Sequence, residues 1–246
     1  MTTIVAHRGW SGAAPENTLA AFKLALSDAD IACIELDVHL SKDGVPVVIH
    51  DHTLDRTTNG TGFVQSLTYE ELRSLDAGSW YAPQYHDEKL PTLEEVLLLT
   101  KGRCRLAVEL KKIGNMYEGI EQKVIDLILR YEMKEQVVLS SFDHDSMKKV
   151  NEIDSSFMTG LIFLGNPTLL LEQLQYTGAR SISIHHAFIT KALMDQMTEH
   201  GIDVGVWTVD DTAIMARMMD LYPAARITTN YPDRLLNLIR GEAALR

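Results

Sequence analysis

Cationic side chains are scarce in this chain. It has 23 Lys and Arg against 34 Asp and Glu, a formal net charge of -11 and a sequence pI near 5.2. Such a balance opposes general attraction to nucleic-acid backbones or anionic membrane surfaces. It leaves a small anionic ligand open, because a local cation reverses the field. Cysteine is nearly absent, with only Cys33 and Cys104. Both fall inside apolar strand-like runs, so buried thiols are expected rather than a disulfide or a metal pair. No apolar stretch is long enough to span a bilayer, and no basic region followed by an apolar run opens the sequence. Together these features predict a cytoplasmic protein with no signal peptide, no stable membrane association and no nucleic-acid partner. A GxGxxG fingerprint is missing after the first strand-like run, which removes the main support for a doubly wound sheet. Internal repeats, low-complexity tracts and linkers are also lacking.

What is present is a regular alternation. With 246 residues and 46% hydrophobic content, the chain can build one α/β barrel or two small domains. Strand patterns fall at 3–7, 33–38, 104–110, 137–141, 157–162, 181–185, 203–208 and 225–229. Helical patterns follow Asn17 or Thr18, then TLEEVLLLT after Pro91 and Thr92, then near 118–132, 143–153, 168–177, 190–200, 211–220 and 232–240. Eight βα units in a chain of this length predict a (β/α)8 barrel spanning residues 1–246 as one domain. VPVVI at 45–49 contains a proline and reads as an edge strand. Residues 51–90 break the rhythm with turn-rich DHTLDRTTNGTG and one short helical pattern, which predicts a compact insertion over a site.

The chemistry concentrates in CIELDVHLSKDGVPVVIHD, residues 33–51. Glu35 and Asp37 share one face of a strand, while Ile34, Leu36 and Val38 take the other. Burying two like charges together costs several kcal/mol unless a cation joins them. In such barrels the working residues stand at the C-terminal strand ends. Those ends supply His7-Arg8-Gly9, Glu35 and Asp37, Glu109-Leu110-Lys111, and Trp207-Thr208-Val209-Asp210. Three carboxylates make an oxygen-only site suited to Mg²⁺ or Ca²⁺ rather than Zn²⁺. His7 and His50 each have a plain reading as core imidazoles. Beside a cation they read as a general base and a general acid. Arg8 and Lys111 read either as counter-ions to the acids or as anion binders. Three carboxylates, a divalent cation, two bases and a monoanionic ligand sum to zero, which points to metal-assisted chemistry on a phosphate ester. Trp207 reads as core or as a wall of the ligand site. Asn59-Gly60-Thr61-Gly62 reads as a turn and His185-His186 as structural. The ten methionines are core filler.

HRGWSGAAPENT, IELDVHLSKDGVPVVIHDHTLDRTTNGTG, AVELK, VWTVD and TTNYPD, in that order, resemble the glycerophosphodiester phosphodiesterases, above all the bacterial cytoplasmic type. The resemblance covers Ile4 to about Arg234 and implies a TIM barrel with a small insertion after the second strand. It implies Glu35, Asp37 and Glu109 as ligands of one divalent cation, Mg²⁺ or Ca²⁺. His7 and His50 match the catalytic pair, and Arg8 and Lys111 match phosphate-holding positions. Glu16 matches the glutamate of the PENT motif, which supports the site. The activity implied is hydrolysis of glycerophosphodiesters to sn-glycerol 3-phosphate and an alcohol, by a monomer or homodimer. The alternative is a lysophospholipase D, for which Tyr69, Trp80, Tyr81 and Tyr85 of the insertion would offer exposed aromatics.

Overall fold

Alternation along each strand sorts side chains into a set facing the barrel axis and a set facing the helices. The computed structural model describes residues 2–241. Its strands are β1 (Thr3–Ala6), β2 (Cys33–Leu40), β3 (Pro46–Val48), β4 (Arg105–Leu110), β5 (Val137–Ser141), β6 (Met158–Phe163), β7 (Ser181–His185), β8 (Asp203–Trp207) and β9 (Arg226–Thr229). Eight of these form a parallel ring, β1-β9-β8-β7-β6-β5-β4-β2, closed by the β1–β2 pairing. This is a (β/α)8 barrel. β3 runs antiparallel to β2 outside the ring, with Val38 opposite Val48 and Leu40 opposite Pro46. Its place at the edge accommodates a proline that donates no ladder bond.

Parallel neighbours need crossovers, and helices supply them. The helices are α1 (Leu19–Ala25), α2 (Tyr69–Ser74), α3 (Leu93–Thr100), α4 (Ile120–Arg130), α5 (His144–Ile153), α6 (Leu170–Thr177), α7 (Lys191–Glu199), α8 (Thr212–Leu221) and α9 (Pro232–Ile239). Ile34, Leu36 and Val38 of β2 share one buried core with Val96 and Leu97 of α3 and Val124 and Ile128 of α4. Each such side chain contributes roughly 1.5–3 kcal/mol when fully buried. Thr92 starts α3 through a capping box with Glu95. Of the two residues expected to start α1, Thr18 is the cap. Asn17 instead adopts a left-handed backbone at φ 57° and sends its amide to Asp37.

Several boundaries shift by a few residues. β1 ends at Ala6, so His7 opens the following turn, and β2 runs on to Leu40. Cys104 lies just before β4, and both cysteines are buried and free. The insertion holds only one α-helix, α2, besides 3-10 turns at Val64–Ser66 and Pro83–Tyr85. Its Leu54, Val64, Leu72, Ala77 and Leu90 form a small separate core with Val47 and Ile49 of the β3 segment. Tyr81 and Tyr85 donate their hydroxyls to the carbonyls of Gly12 and Ala13, at 2.9 and 3.0 Å, and so fasten the insertion to the loop after β1.

Candidate active site

The pairing of β2 with β4 sets Asp37 directly opposite Glu109 and Glu35 opposite Ala107. Register alone therefore gathers the acids. Glu35, Asp37 and Glu109 each offer an oxygen within 4.8 Å of the others, the only such group of three among the described residues. Glu35 and Glu109 stand at one wall of a cavity of about 290 Å³ that opens on the barrel axis, with Asp37 buried between them and the bases. The interior of such a barrel is ordinarily filled by large side chains. Here Ala107, Gly160, Ser181 and Gly205 line the axis and leave it open.

Without an added cation the cluster is poorly balanced. Burial and the neighbouring Asp37 push the Glu35 carboxyl well above its ordinary value. The same two causes push Glu109 up to about 7. Burial also opposes ionisation of Asp37, but Lys111 and Arg8 outweigh it and hold Asp37 at about 2. The two bases thus neutralise Asp37 and leave Glu35 and Glu109 short of positive charge. A hard, oxygen-only donor set with that deficit fits a divalent cation.

Arg8 and Lys111 both line the cavity and both pair with the acids. The Lys111 ammonium lies 2.7 Å from Glu109 and 3.5 Å from Asp37. Arg8 holds Asp37 at 3.4 Å through Nε and Glu16 at 2.8 Å through Nη1, while its backbone N–H donates to Glu35 at 2.9 Å. That arrangement needs a left-handed backbone at Arg8, φ 56°. Gly9 follows at φ 80°, where a Cβ would meet the Ala21 carbonyl carbon at 2.7 Å. Strain of this kind costs about 1–3 kcal/mol per residue and gathers at functional sites.

The two histidines stand in different surroundings. Nδ1 of His7 donates to Oδ1 of Asn230 at 2.7 Å. The roles are fixed because the Asn230 amide nitrogen already donates to Asp210 at 2.6 Å. Nε2 of His7 therefore carries a free lone pair, 3.8 Å from Glu35. Burial, aided by the Arg8 charge, lowers His7 to about 4, so it is neutral at ordinary pH. Nδ1 of His50 faces the Asp51 carboxylate at 2.6 Å. Burial, with the Lys111 and Arg8 charges, holds His50 below its ordinary value, and Asp37 and Asp51 offset this only in part.

Glu16 stands behind the cavity lining. Both its oxygens are taken by guanidinium groups, from Arg8 and from Arg56 at 2.8 Å. Arg56 also grips Asp51 at 2.7 Å and lowers that carboxyl. Asp51, Arg56, Asn230 and Asp210 were not singled out from the sequence. Their signal lay in the quoted motifs, but their roles depend on pairings across up to 40 residues for Arg56 and 223 for Asn230. Trp207 stands on the cavity wall with its ring edge-on to Phe142 at 5.6 Å. His185 and His186 stack at 4.5 Å behind it, and Asn59 closes a turn with Asp76. The insertion tyrosines spend their hydroxyls inside the protein, Tyr69 on Glu95 and the other two on the loop after β1.

The class in view is a parallel (β/α)8 barrel that sets carboxylates, imidazoles and cations around an axial cavity. The sequence profile of the glycerophosphoryl diester phosphodiesterase family matches residues 7–234, and the chain belongs to that family. It is 39% identical over 243 residues to a glycerophosphodiester phosphodiesterase of Caldanaerobacter subterraneus, covering 97% of this chain and 98% of that one. Its fold matches a phosphodiesterase of Oleispira antarctica, solved with the product sn-glycerol 3-phosphate, at a TM-score of 0.87 and 30% identity over 98% and 97% of the two chains. A glycerophosphodiester phosphodiesterase of Agrobacterium tumefaciens gives a TM-score of 0.82 at 32% identity, covering 96% of this chain and 99% of that one.

Proposed function

We propose that this chain hydrolyses glycerophosphodiesters such as glycerophosphocholine and glycerophosphoethanolamine to sn-glycerol 3-phosphate and the free alcohol, in a metal-dependent reaction with histidine acid–base catalysis. The observation that carries this reading is an acidic trio, two of whose members share one cavity with two imidazoles that have different partners. Glu35, Asp37 and Glu109 would hold the divalent cation, which supplies positive charge to the phosphoryl oxygens and the glycerol hydroxyls. Arg8 and Lys111 supply the remaining charge for the phosphate. His7 Nε2 takes the proton of the glycerol 2-hydroxyl as that oxygen bonds to phosphorus. His50 gives its proton to the leaving alcohol oxygen as the phosphorus–oxygen bond breaks. Water then opens the cyclic phosphate, with the two histidines exchanging roles. Asn230 keeps His7 in the tautomer that can accept, and Asp51 favours the His50 form that can donate. Glu16 and Trp207 border this arrangement, one bracing Arg8 and the other walling the cavity.

We further infer one catalytic domain over residues 1–246 with the cover at 51–90. It would work in the cytoplasm as a monomer or homodimer, in glycerol and lipid metabolism. Among the described residues no helix is long and apolar enough to cross a membrane. The hydroxyls of Tyr69, Tyr81 and Tyr85 are spent inside the protein, which favours soluble diesters, while Trp80 and Phe63 stay exposed on the insertion and keep the lysophospholipid reading open to test. A coupled sn-glycerol 3-phosphate assay compares glycerophosphocholine, glycerophosphoethanolamine and lysophosphatidylcholine. Faster turnover of the first two is expected. Preference for lysophosphatidylcholine would replace this reading by the lysophospholipase D.

A further inference from the structure

His39 is fully buried two residues beyond Asp37 on β2, and it takes no part in the acidic trio. Its Nε2 lies 3.0 Å from the backbone carbonyl of His50. A carbonyl only accepts, so this nitrogen carries the hydrogen. Its Nδ1 lies 2.8 Å from the hydroxyl of Tyr117, which then donates to it. Tyr117 is 6% exposed and comes from the segment between β4 and α4, beyond Lys111. It adopts a left-handed backbone at φ 57°. The ring of His52 closes the group, edge-on to His39 at 4.8 Å and stacked on Tyr117 at 6.2 Å. Three rings thus enclose one hydrogen-bonded line, Tyr117 to His39 to the His50 carbonyl.

That line is costly to build. Two polar side chains are buried, and each is satisfied only through the other and through His50. A leucine and a phenylalanine in their places would fill the space without that demand. What the polar pair adds is direction. A fixed tautomer fixes the donor, the donor fixes the His50 peptide plane, and the plane sets the direction in which the His50 side chain leaves the backbone. Asp51 then orients the ring from its other end.

We propose that His39 and Tyr117 are positioning residues that aim the His50 imidazole at the leaving alcohol. The inference rests on His50 being the acid of the proposed reaction. The β4–α4 segment, which follows Lys111, and β3, which leads into His50, are tied by this line into one frame.

The test compares single-turnover release of the alcohol from two diesters in the metal-loaded enzyme, the step before water opens the shared cyclic phosphate. Glycerophosphoethanolamine loses an alkoxide that needs a proton, and glycerophospho-p-nitrophenol loses a nitrophenolate that does not. His50→Ala sets the reference and should slow the first far more than the second. His39→Leu should lower the single-turnover rate on glycerophosphoethanolamine about 10²-fold, the scale of a misplaced catalytic group. Tyr117→Phe, which removes one oxygen, should lower it about 10-fold. In both, KM, cation affinity by titration calorimetry and single-turnover release of nitrophenolate should stay near wild type. His39→Gln, whose amide nitrogen can reach the same carbonyl, should recover most of the lost rate. Equal slowing of both diesters by Tyr117→Phe, or no rescue by His39→Gln relative to His39→Leu, would overturn the inference while leaving His50 in place. A His50→Ala enzyme that slows both diesters alike would instead remove the acid assignment on which it stands.

Discussion

His7 gains its usefulness from atoms far away in sequence. Its Nδ1 proton is held by Asn230, and Asn230 is itself held by Asp210 and by the Ser11 hydroxyl at 2.8 Å. Replacing Asn230 by Ala frees the tautomer and the ring. The expected result is a loss of about 10²-fold in kcat with little change in KM, within the range for an impaired general base. Steady-state kinetics on glycerophosphoethanolamine checks this. Unchanged kcat would mean that His7 needs no such orienter. The acids, the bases and His7 stood out as strand-end residues and His50 as the close of residues 33–51, because alternation and strand ends are local features. Asn230 was not, since an asparagine after a strand has many ordinary uses and its partner lies 223 residues away. Whether Arg8 and Lys111 served the acids or an anion was also beyond a local pattern. Their distances to Asp37 and Glu109 show that they pair with the acids while facing the cavity.

At the level of elements, the βα alternation was readable throughout because apolar runs, caps and turns agree with one another. Residues 45–49 were readable as an edge because of Pro46, and β3 is indeed antiparallel to β2 beyond the ring. The inner order of the insertion was less readable, since it consists mainly of side-chain ties. Arg56 is the chief tie, with two bonds to Glu16 and two to Asp51. It is partly exposed, so its worth to global stability is small by surface-pair standards, under about 1 kcal/mol. Its effect is expected in local order. Arg56→Ala should raise amide exchange in residues 51–66 and in the loop after β1, with the barrel strands unaffected, as hydrogen-exchange mass spectrometry would read. Protection equal to wild type would show that Tyr81 and Tyr85 hold the insertion alone.

Across the whole molecule, an acidic chain with a net charge of -11 concentrates three carboxylates in its own interior. In the cation-free protein Glu109 titrates near 7 instead of its ordinary 4.5. A carboxyl raised in the folded state contributes stability below its unfolded value and loses it as pH rises through the folded one. Glu109 by itself should therefore subtract on the order of 3 kcal/mol between about pH 4.5 and 7, while the lowered values of buried His7 and His39 add stability as pH rises toward 6.5. Glu109→Gln should remove that one contribution, so its stability at pH 8 relative to pH 5 should rise against wild type, and a saturating divalent cation should shift wild type the same way by favouring the ionised carboxylates. Urea unfolding at pH 5 and pH 8, with chelator or with Mg²⁺, measures both effects. A slope indifferent to the cation would mean that the trio does not bind it.

The most direct measurement of the central claim is release of sn-glycerol 3-phosphate from glycerophosphoethanolamine by exhaustively chelated enzyme, before and after return of Mg²⁺ or Ca²⁺. The account predicts negligible release without a cation. It predicts restoration by at least one of the two in the wild type, and none in Glu109→Gln or Glu35→Gln. Undiminished release after chelation, or restoration in those variants equal to wild type, would contradict it.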